Sequence, residues 1–166
     1  QYNAGALMNL AIAFNKTGAH VKAANTALRA LALTPDKEIL RYNAGSIAAS
    51  AAQNGHSEKA IEVIETLLDL EPDNTKNWFN LGLCYQSMKD GARAVKCFEA
   101  VHARTPKDED SLIKLVQLNA ELGNYDDALN FCDLMVKHGI ALIQATSFKA
   151  QILQARGEGQ DAINFV

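Results

Sequence analysis

The stretch that decides the fold is residues 74–107, which read NTKNWFNLGLCYQSMKDGARAVKCFEAVHARTPK. Its apolar and small residues recur three and four positions apart, which is the period of a helix with one buried face. The stretch therefore predicts two amphipathic helices joined by a turn near Lys89. Its landmark residues are Trp78, Leu81, Gly82, Tyr85, Ala94, Phe98 and Pro106.

Parts of this pattern recur along the chain at a nearly constant spacing. Stepping from Ala94 in both directions finds alanines separated by 37, 34, 34 and 34 residues, at Ala23, Ala60, Ala94, Ala128 and Ala162. A small residue is expected there because two helices cross closely at that point. The turn between the helices supplies an independent column, which reads Gly18, Gly55, Lys89, Gly123 and Gly157. The two columns predict five copies, each with a left-handed residue at its turn.

In order and spacing, the landmarks of residues 74–107 resemble the tetratricopeptide signature. That signature is Trp-x2-Leu-Gly-x2-Tyr, then Ala-x3-Phe and a closing Pro, within about 34 residues. Val101 departs from it, since the family usually has Ala there. The resemblance implies an all-α fold, a right-handed α-solenoid of antiparallel helix pairs, in which the first helix of each repeat lines the concave side.

We interpret residues 1–166 as a single array and expect it to be a piece of a longer protein, because the pattern runs to both ends. Three extra residues fall within 36–40, and we expect them to add almost one turn to the following helix. Ser57 is a candidate N-cap for the next helix. The predicted repeats span residues 4–37, 41–74, 75–108, 109–142 and, truncated, 143–166.

Composition narrows the classes of partner. The formal net charge of -3 provides no basic field for nucleic acid or anionic lipid, so we expect neither nucleic-acid binding nor direct membrane insertion. The chain has three cysteines, Cys84, Cys97 and Cys132, within apolar helical stretches. They are interpreted as buried hydrophobic residues, and they favour a reducing intracellular compartment such as the cytoplasm.

The sequence holds no pattern typical of catalysis. None of the four histidines has a partner four residues away, as a helical metal site would need. The glycines form neither a phosphate-binding loop nor a dinucleotide-binding fingerprint. We therefore expect no enzyme activity, no catalytic residues, no metal and no cofactor in this chain.

The candidate binding residues lie on the first helices, at positions that the repeat signature leaves free to vary. Apolar side chains at these positions are not needed for the core, so they indicate a ligand surface. A neighbouring helix of the same protein filling the groove is the alternative. The predicted partner-binding residues are Met8, Asn9, Ile12, Phe79, Asn80, Leu83, Ile113, Lys114 and Gln117.

Within the family, some members hold a partner's C-terminal carboxylate with a Lys and Asn clamp, and no three consecutive repeats here carry that set. Asn9 and Asn80 are instead similar to the asparagines with which other members grip a peptide backbone. The leading hypothesis is a protein-interaction scaffold that binds an extended or helical segment of a partner in the groove. The alternatives are a non-catalytic, substrate-presenting arm of a larger enzyme or assembly, and an RNA-binding helical repeat, which the shortage of positive charge disfavours. Open repeat ends also allow self-association.

Overall fold

The computed structural model describes residues 3–157, and this range contains nine α-helices and no β-strand. The chain divides into two compact units, residues 1–89 and residues 90–166. In chain order, these helices alternate between the first and the second helices of the predicted repeats. Predicted residues Ala162 and Val166 of the fifth repeat lie outside the described range.

The first unit contains five helices, which are α1 Ala4–Lys16, α2 His20–Leu33, α3 Glu38–Gln53, α4 Ser57–Leu70 and α5 Thr75–Ser87. Within it, α2 packs on α1, α4 packs on α3, and α5 packs on α4. Neighbouring first helices also touch, because α1 contacts α3 and α3 contacts α5. The spacing of apolar residues in the sequence alone predicts helices over Ala4–Lys16, His20–Leu33 and Ser57–Leu70, and α1, α2 and α4 have these bounds.

The second unit contains α6 Gly91–Arg104, α7 Glu109–Glu121, α8 Tyr125–His138 and α9 Leu142–Arg156. Consecutive helices pack on each other, and α7 also touches α9. The core between α7, α8 and α9 is built from fully or almost fully buried residues, which are Leu112, Val116, Ala128, Cys132, Met135, Ala145 and Ile152. The assignment of all repeats to one continuous array stays a prediction.

Both repeat columns have the expected structural roles. Ala23, Ala60, Ala94 and Ala128 are completely buried, which confirms that the column holds small residues where helices pack closely. All five turn positions have positive φ, including Lys89 at 61°, so each short turn needs the left-handed conformation. Lys89 adopts this conformation at a cost that glycine would avoid.

The inserted residues lengthen α3 as predicted, since α3 has 16 residues whereas α1, α5 and α7 have 13. The expected cap at Ser57 is wrong. His56 precedes α4 and makes no side-chain cap, whereas Ser57 is already helical and buried. Its hydroxyl lies 2.7 Å from the hydroxyl of Ser87, so the Ser57 side chain joins α4 to α5 instead of closing the helix start.

Candidate partner-binding surfaces

The first unit contains an open cleft of about 450 Å³ between the first helices α3 and α5. We call it the α3–α5 cleft. Most of the residues that line it carry amides, hydroxyls or charged groups. The lining residues are Glu38, Arg41, Tyr42, Gly45, Ser46, Ala49, Ser50, Gln53, Glu71, Asn74, Lys76, Asn77 and Asn80.

One edge of the α3–α5 cleft is held by a connected set of polar contacts. The Arg41 Nε atom lies 2.6 Å from Glu71 Oε1, and Arg41 Nη1 donates to the Pro35 carbonyl at 2.7 Å. Asn74 Nδ2 donates to Glu71 Oε2 at 3.1 Å, while Asn74 Oδ1 accepts from the Asn77 backbone at the start of α5. The Arg41 charge is therefore already paired with a carboxylate.

Other polar side chains of the α3–α5 cleft have no partner within the described residues. The side chains of Lys76, Asn77 and Asn80 have no hydrogen bond or ion pair within the described residues. Asn77 is only 7% exposed, although its side chain lines the cleft. Tyr42 is among the most exposed large side chains of the described chain. Amides that can both donate and accept suit a main-chain peptide group.

A smaller pocket of about 200 Å³ adjoins this cleft and shares Ala49, Gln53 and Asn80 with it. The lining of this pocket is more apolar than that of the α3–α5 cleft. Its remaining lining residues are Ala52, Ile64, Leu83, Cys84 and Ser87. Asn80 and Leu83, both predicted from the sequence, therefore line the same pocket on α5.

The other predicted residues of the first unit have different surroundings. Met8 is 1% exposed and is a core residue, so its prediction as part of the binding surface is corrected. Met8 lies on α1, which packs against both α2 and α3, and a side chain between packed helices is shielded from solvent. Asn9 is exposed and Ile12 is half-buried on α1, away from the lining of the α3–α5 cleft. Phe79 is half-buried and also lines neither pocket.

The second unit has a cleft of similar volume, about 450 Å³, between α7 and α9. We call it the α7–α9 cleft, and most of its lining is apolar or aromatic. The residues are Val116, Gln117, Ala120, Glu121, Tyr125, Phe148, Gln151, Ile152 and Ala155. Of the predicted residues, Gln117 lines this cleft. Ile113 and Lys114 are half-buried outside it, and Ile113 packs against the core of the unit.

Several lining residues were missed by the sequence prediction. Ser46, Asn80 and Phe148 occupy the same position in the first helices α3, α5 and α9. Tyr42 and Lys76 lie one helical turn before Ser46 and Asn80, so a prediction that included the preceding turn would have found them. Asn77 gives no such signal in the sequence. It directly precedes Trp78, a residue of the repeat signature, and we expected that part of the helix to be buried.

The two buried thiols with altered acidity do not favour nucleophilic chemistry. Burial raises the pKa of Cys84 to about 11. Burial also raises the pKa of Cys132 to about 11, with the nearby Asp133 carboxylate adding to the effect. Both groups are therefore neutral thiols at pH 7, and the thiolate is the reactive form.

Over residues 3–157, no three His, Cys, Asp or Glu side chains are grouped so that they could hold a metal ion. None of the helices there combines the length and apolar character needed to cross a membrane.

The four histidines lie at or near helix ends. His20 shares a 2.9 Å hydrogen bond with Asn15 Oδ1, and its ring centroid is 5.9 Å from that of His56. His102 packs edge-on against Phe131 at 5.8 Å. These contacts place the rings in local packing and in links between helices.

Comparison with known proteins adds a family match and a sequence relative. The model of the tetratricopeptide repeat family matches residues 47–119. The transcription factor tau subunit sfc4 of Schizosaccharomyces pombe is 34% identical over 71 residues. That match covers 42% of this chain and only 7% of the relative, so it concerns a small part of the larger protein.

Solved structures show the same fold at low sequence identity. MamA matches with a TM-score of 0.75 and 15% identity, over 98% of this chain and 87% of that one. YrrB, described as a tetratricopeptide-repeat protein with an unusual peptide-binding site, matches with a TM-score of 0.72 and 15% identity, over 98% and 82% of the two chains. The fold is an all-α helical-repeat solenoid.

Proposed function

We propose that the chain is an interaction scaffold of the tetratricopeptide-repeat family and binds an extended or helical segment of a partner protein against its first helices. Proteins of this repeat class bind protein or peptide partners. We place the binding site for the partner segment in the α3–α5 cleft and the adjoining pocket at Leu83.

The observation that carries the proposal is the set of open amides in the α3–α5 cleft. Asn77 and Asn80 line a cleft large enough for a few peptide residues, and their side chains are not used by hydrogen bonds within the described chain. A partly buried amide without a partner loses hydrogen bonds to water, and a peptide group can restore them. Leu83 adds an apolar contact beside these amides.

We propose that the chain itself has no catalytic role. The raised pKa values of Cys84 and Cys132 support this, because neutral buried thiols are poor nucleophiles. Partners are expected to be proteins or peptides, and self-association through the repeat ends remains part of the proposal. The remaining predicted residues, Asn9, Ile12, Phe79, Ile113, Lys114 and Gln117, are proposed as secondary contacts in their own units.

The proposal is tested by selecting peptides from a phage-displayed random library on the protein and measuring their affinity by fluorescence anisotropy. Leu83→Asp should weaken binding at least about tenfold, because the new carboxylate would lose hydration when a peptide covers it. Leu70→Asp is the matched control, since Leu83 is 37% exposed and Leu70 is 38% exposed, but Leu70 ends α4, a second helix. Equal losses in both variants would overturn the location of the site.

A second candidate function is that of a non-catalytic arm in a larger enzyme or assembly. The observation that favours it is the sfc4 relative, which is a subunit of a transcription factor and is much longer than the matched region. Native mass spectrometry of the tagged full-length protein, purified from its own cells, tests this candidate. A complex of fixed composition would support the arm, whereas a protein free of stable subunits would contradict it.

A further inference from the structure

The α7–α9 cleft has the size and lining of a site for a small organic molecule. Its volume of about 450 Å³ lies within the range of ligand pockets, which is about 300–1,000 Å³. Such pockets combine apolar and aromatic walls with a few polar groups. Here Val116 and Ile152 are buried, and the half-buried rings of Tyr125 and Phe148 pack against the same core. The cleft can therefore hold an apolar or aromatic group.

Glu121 is the one charged residue among the described residues that line the α7–α9 cleft. Its side chain is exposed and has no hydrogen bond or ion pair with another described residue. The basic groups of α9 are paired with carboxylates of α8. Lys149 Nζ lies 2.6 Å from Asp133 Oδ1, and Arg156 Nη1 lies 2.7 Å from Asp126 Oδ1. The lining therefore offers a single negative charge and no basic side chain to neutralise it.

The ends of two helices add to this negative charge. α7 ends at Glu121 and α9 ends one residue after Ala155, and both residues line the cleft. A helix carries a partial negative charge at its C-terminus, so both ends favour a cation. The positive end of α8 begins at Tyr125, but Asp126 and Asp127 in its first turn offset that charge. Charge complementarity therefore selects a positively charged ligand.

The walls of the α7–α9 cleft also distinguish between kinds of cation. An aromatic ring attracts a cation placed over its face, and Tyr125 and Phe148 supply two rings. A plain ammonium group is strongly hydrated, and it would lose hydrogen bonds to water against mostly apolar walls. Alkyl groups on the nitrogen remove N–H donors and add surface that packs against those walls. The lining therefore suits an alkylated ammonium group better than a plain one.

We propose that the α7–α9 cleft binds a free organic cation, in which a multiply alkylated or quaternary ammonium group is joined to an apolar body. The Glu121 carboxylate supplies the opposite charge, and the rings of Tyr125 and Phe148 contact the alkylated group. This site is separate from the α3–α5 cleft and does not depend on peptide binding there.

The test titrates three soluble probes of similar size into the full chain and follows its methyl and aromatic signals by nuclear magnetic resonance. The probes are benzyltrimethylammonium, benzyl alcohol and benzoate. Benzyltrimethylammonium should bind at least about tenfold more tightly than benzyl alcohol and shift the signals of Tyr125 and Phe148, whereas benzoate should not saturate the site. High salt should weaken only the binding of the cation, because Glu121 is exposed.

Two variants separate the charge from the rings. Glu121→Gln keeps the size of an exposed side chain, so the fold is retained, and it should weaken cation binding about tenfold without changing benzyl alcohol binding. Phe148→Leu keeps an apolar side chain without a ring and should weaken the cation more than the alcohol. Glu99→Gln removes an exposed carboxylate from α6 of the same unit and is the matched control, which should change neither affinity.

Equal affinities of benzyltrimethylammonium and benzyl alcohol would overturn the inference. Equal effects of Glu121→Gln and Glu99→Gln would also overturn it, because the attraction would then come from the overall charge of the chain. Signal shifts confined to α3 and α5 would place the cation elsewhere. A trimethyllysine peptide that occupies the α7–α9 cleft more tightly than benzyltrimethylammonium would overturn the assignment to a free small molecule.

Discussion

The α3–α5 cleft and the α7–α9 cleft have the same volume, about 450 Å³, and both lie between neighbouring first helices, yet their chemistry differs. The first is lined mainly by amides and charged groups, and the second mainly by apolar and aromatic side chains. At matching positions of the repeat, the α3–α5 cleft has Asn80 and the α7–α9 cleft has Phe148. The same backbone pattern can therefore support different ligand chemistry, because the repeat signature leaves these positions free.

The two clefts also differ in whether their lining residues belong to the hydrophobic core of the unit. Ile152 and Val116 line the α7–α9 cleft and belong to the buried core of the second unit. In the α3–α5 cleft, the open side chains of Lys76 and Asn80 have no partner in the described chain. We therefore expect substitutions of these core residues in the second cleft to affect stability and substitutions in the first to affect peptide binding.

The largest expected effect comes from placing a carboxylate in each cleft. Ile152→Asp should destabilise the protein by about 3–5 kcal/mol, because it buries an unpaired charged or polar group and leaves a cavity. Asn80→Asp changes a half-buried amide beside Lys76 and should cost less than about 1 kcal/mol. Urea unfolding followed by circular dichroism measures both values. Similar losses in the two variants would remove the contrast between the clefts.

A smaller effect is expected at the edge of the α3–α5 cleft. Glu71→Gln removes the ion pair with Arg41, whose side chain keeps its hydrogen bond to the Pro35 carbonyl. The pair is partly exposed, so the loss of unfolding free energy should be about 1 kcal/mol or less, and high salt should reduce the difference between the proteins. Urea titrations at low and high salt make the comparison. A loss several times larger would mean that this edge is part of the core.

The third prediction concerns thiol ionisation, which affects both units. Because burial raises the pKa of Cys84 and Cys132 above their usual value of 9.0, the folded state keeps its protons when the unfolded state has lost them. This contribution to stability is complete below about pH 9 and is lost as the pH rises towards about 11. Denaturant unfolding between these pH values, compared with a Cys84→Ala, Cys132→Ala protein, isolates it. A pH dependence that is identical in the two proteins would contradict the assignment.

The smallest effect is expected at Lys89, the turn position where the other repeats have glycine. Lys89→Gly should stabilise the protein by about 0.5–1 kcal/mol, because glycine adopts the observed φ of 61° without steric strain. Gly123→Lys is the reciprocal change in the second unit and should destabilise it by a similar amount. Thermal unfolding of both variants is sufficient. If Lys89→Gly were destabilising, the side chain of Lys89 would have to make a compensating contact.

The helices were predictable because their signals are local and repeated. The alanine column, the glycine turns and the lengthened α3 follow from spacing, packing and helix propensity. Ser57 was misassigned because a serine near a helix start looks the same in sequence whether it caps the helix or is buried within its first turn. Its contact with Ser87 joins residues 30 positions apart, which no local pattern reveals.

The candidate site was only partly predictable. Asn80, Leu83 and Gln117 line clefts and were predicted because they occupy variable positions on first helices, but the same rule wrongly included the buried Met8. Exposure depends on which neighbouring helix covers a position, and the repeat column does not carry that information. Asn77 was missed because its position carries no landmark of the repeat, and its place in the cleft depends on how α3 packs beside α5.

The central claim is that the α3–α5 cleft binds the partner segment, and amide chemical-shift mapping tests it most directly. A peptide selected from the display library is titrated into isotope-labelled protein, and the side-chain NH₂ signals of Asn77 and Asn80 are followed with the backbone signals. The account predicts saturable shifts of both side chains and of backbone amides in α3 and α5. Shifts confined to the second helices, or to α7 and α9, with both NH₂ signals unchanged, would contradict it.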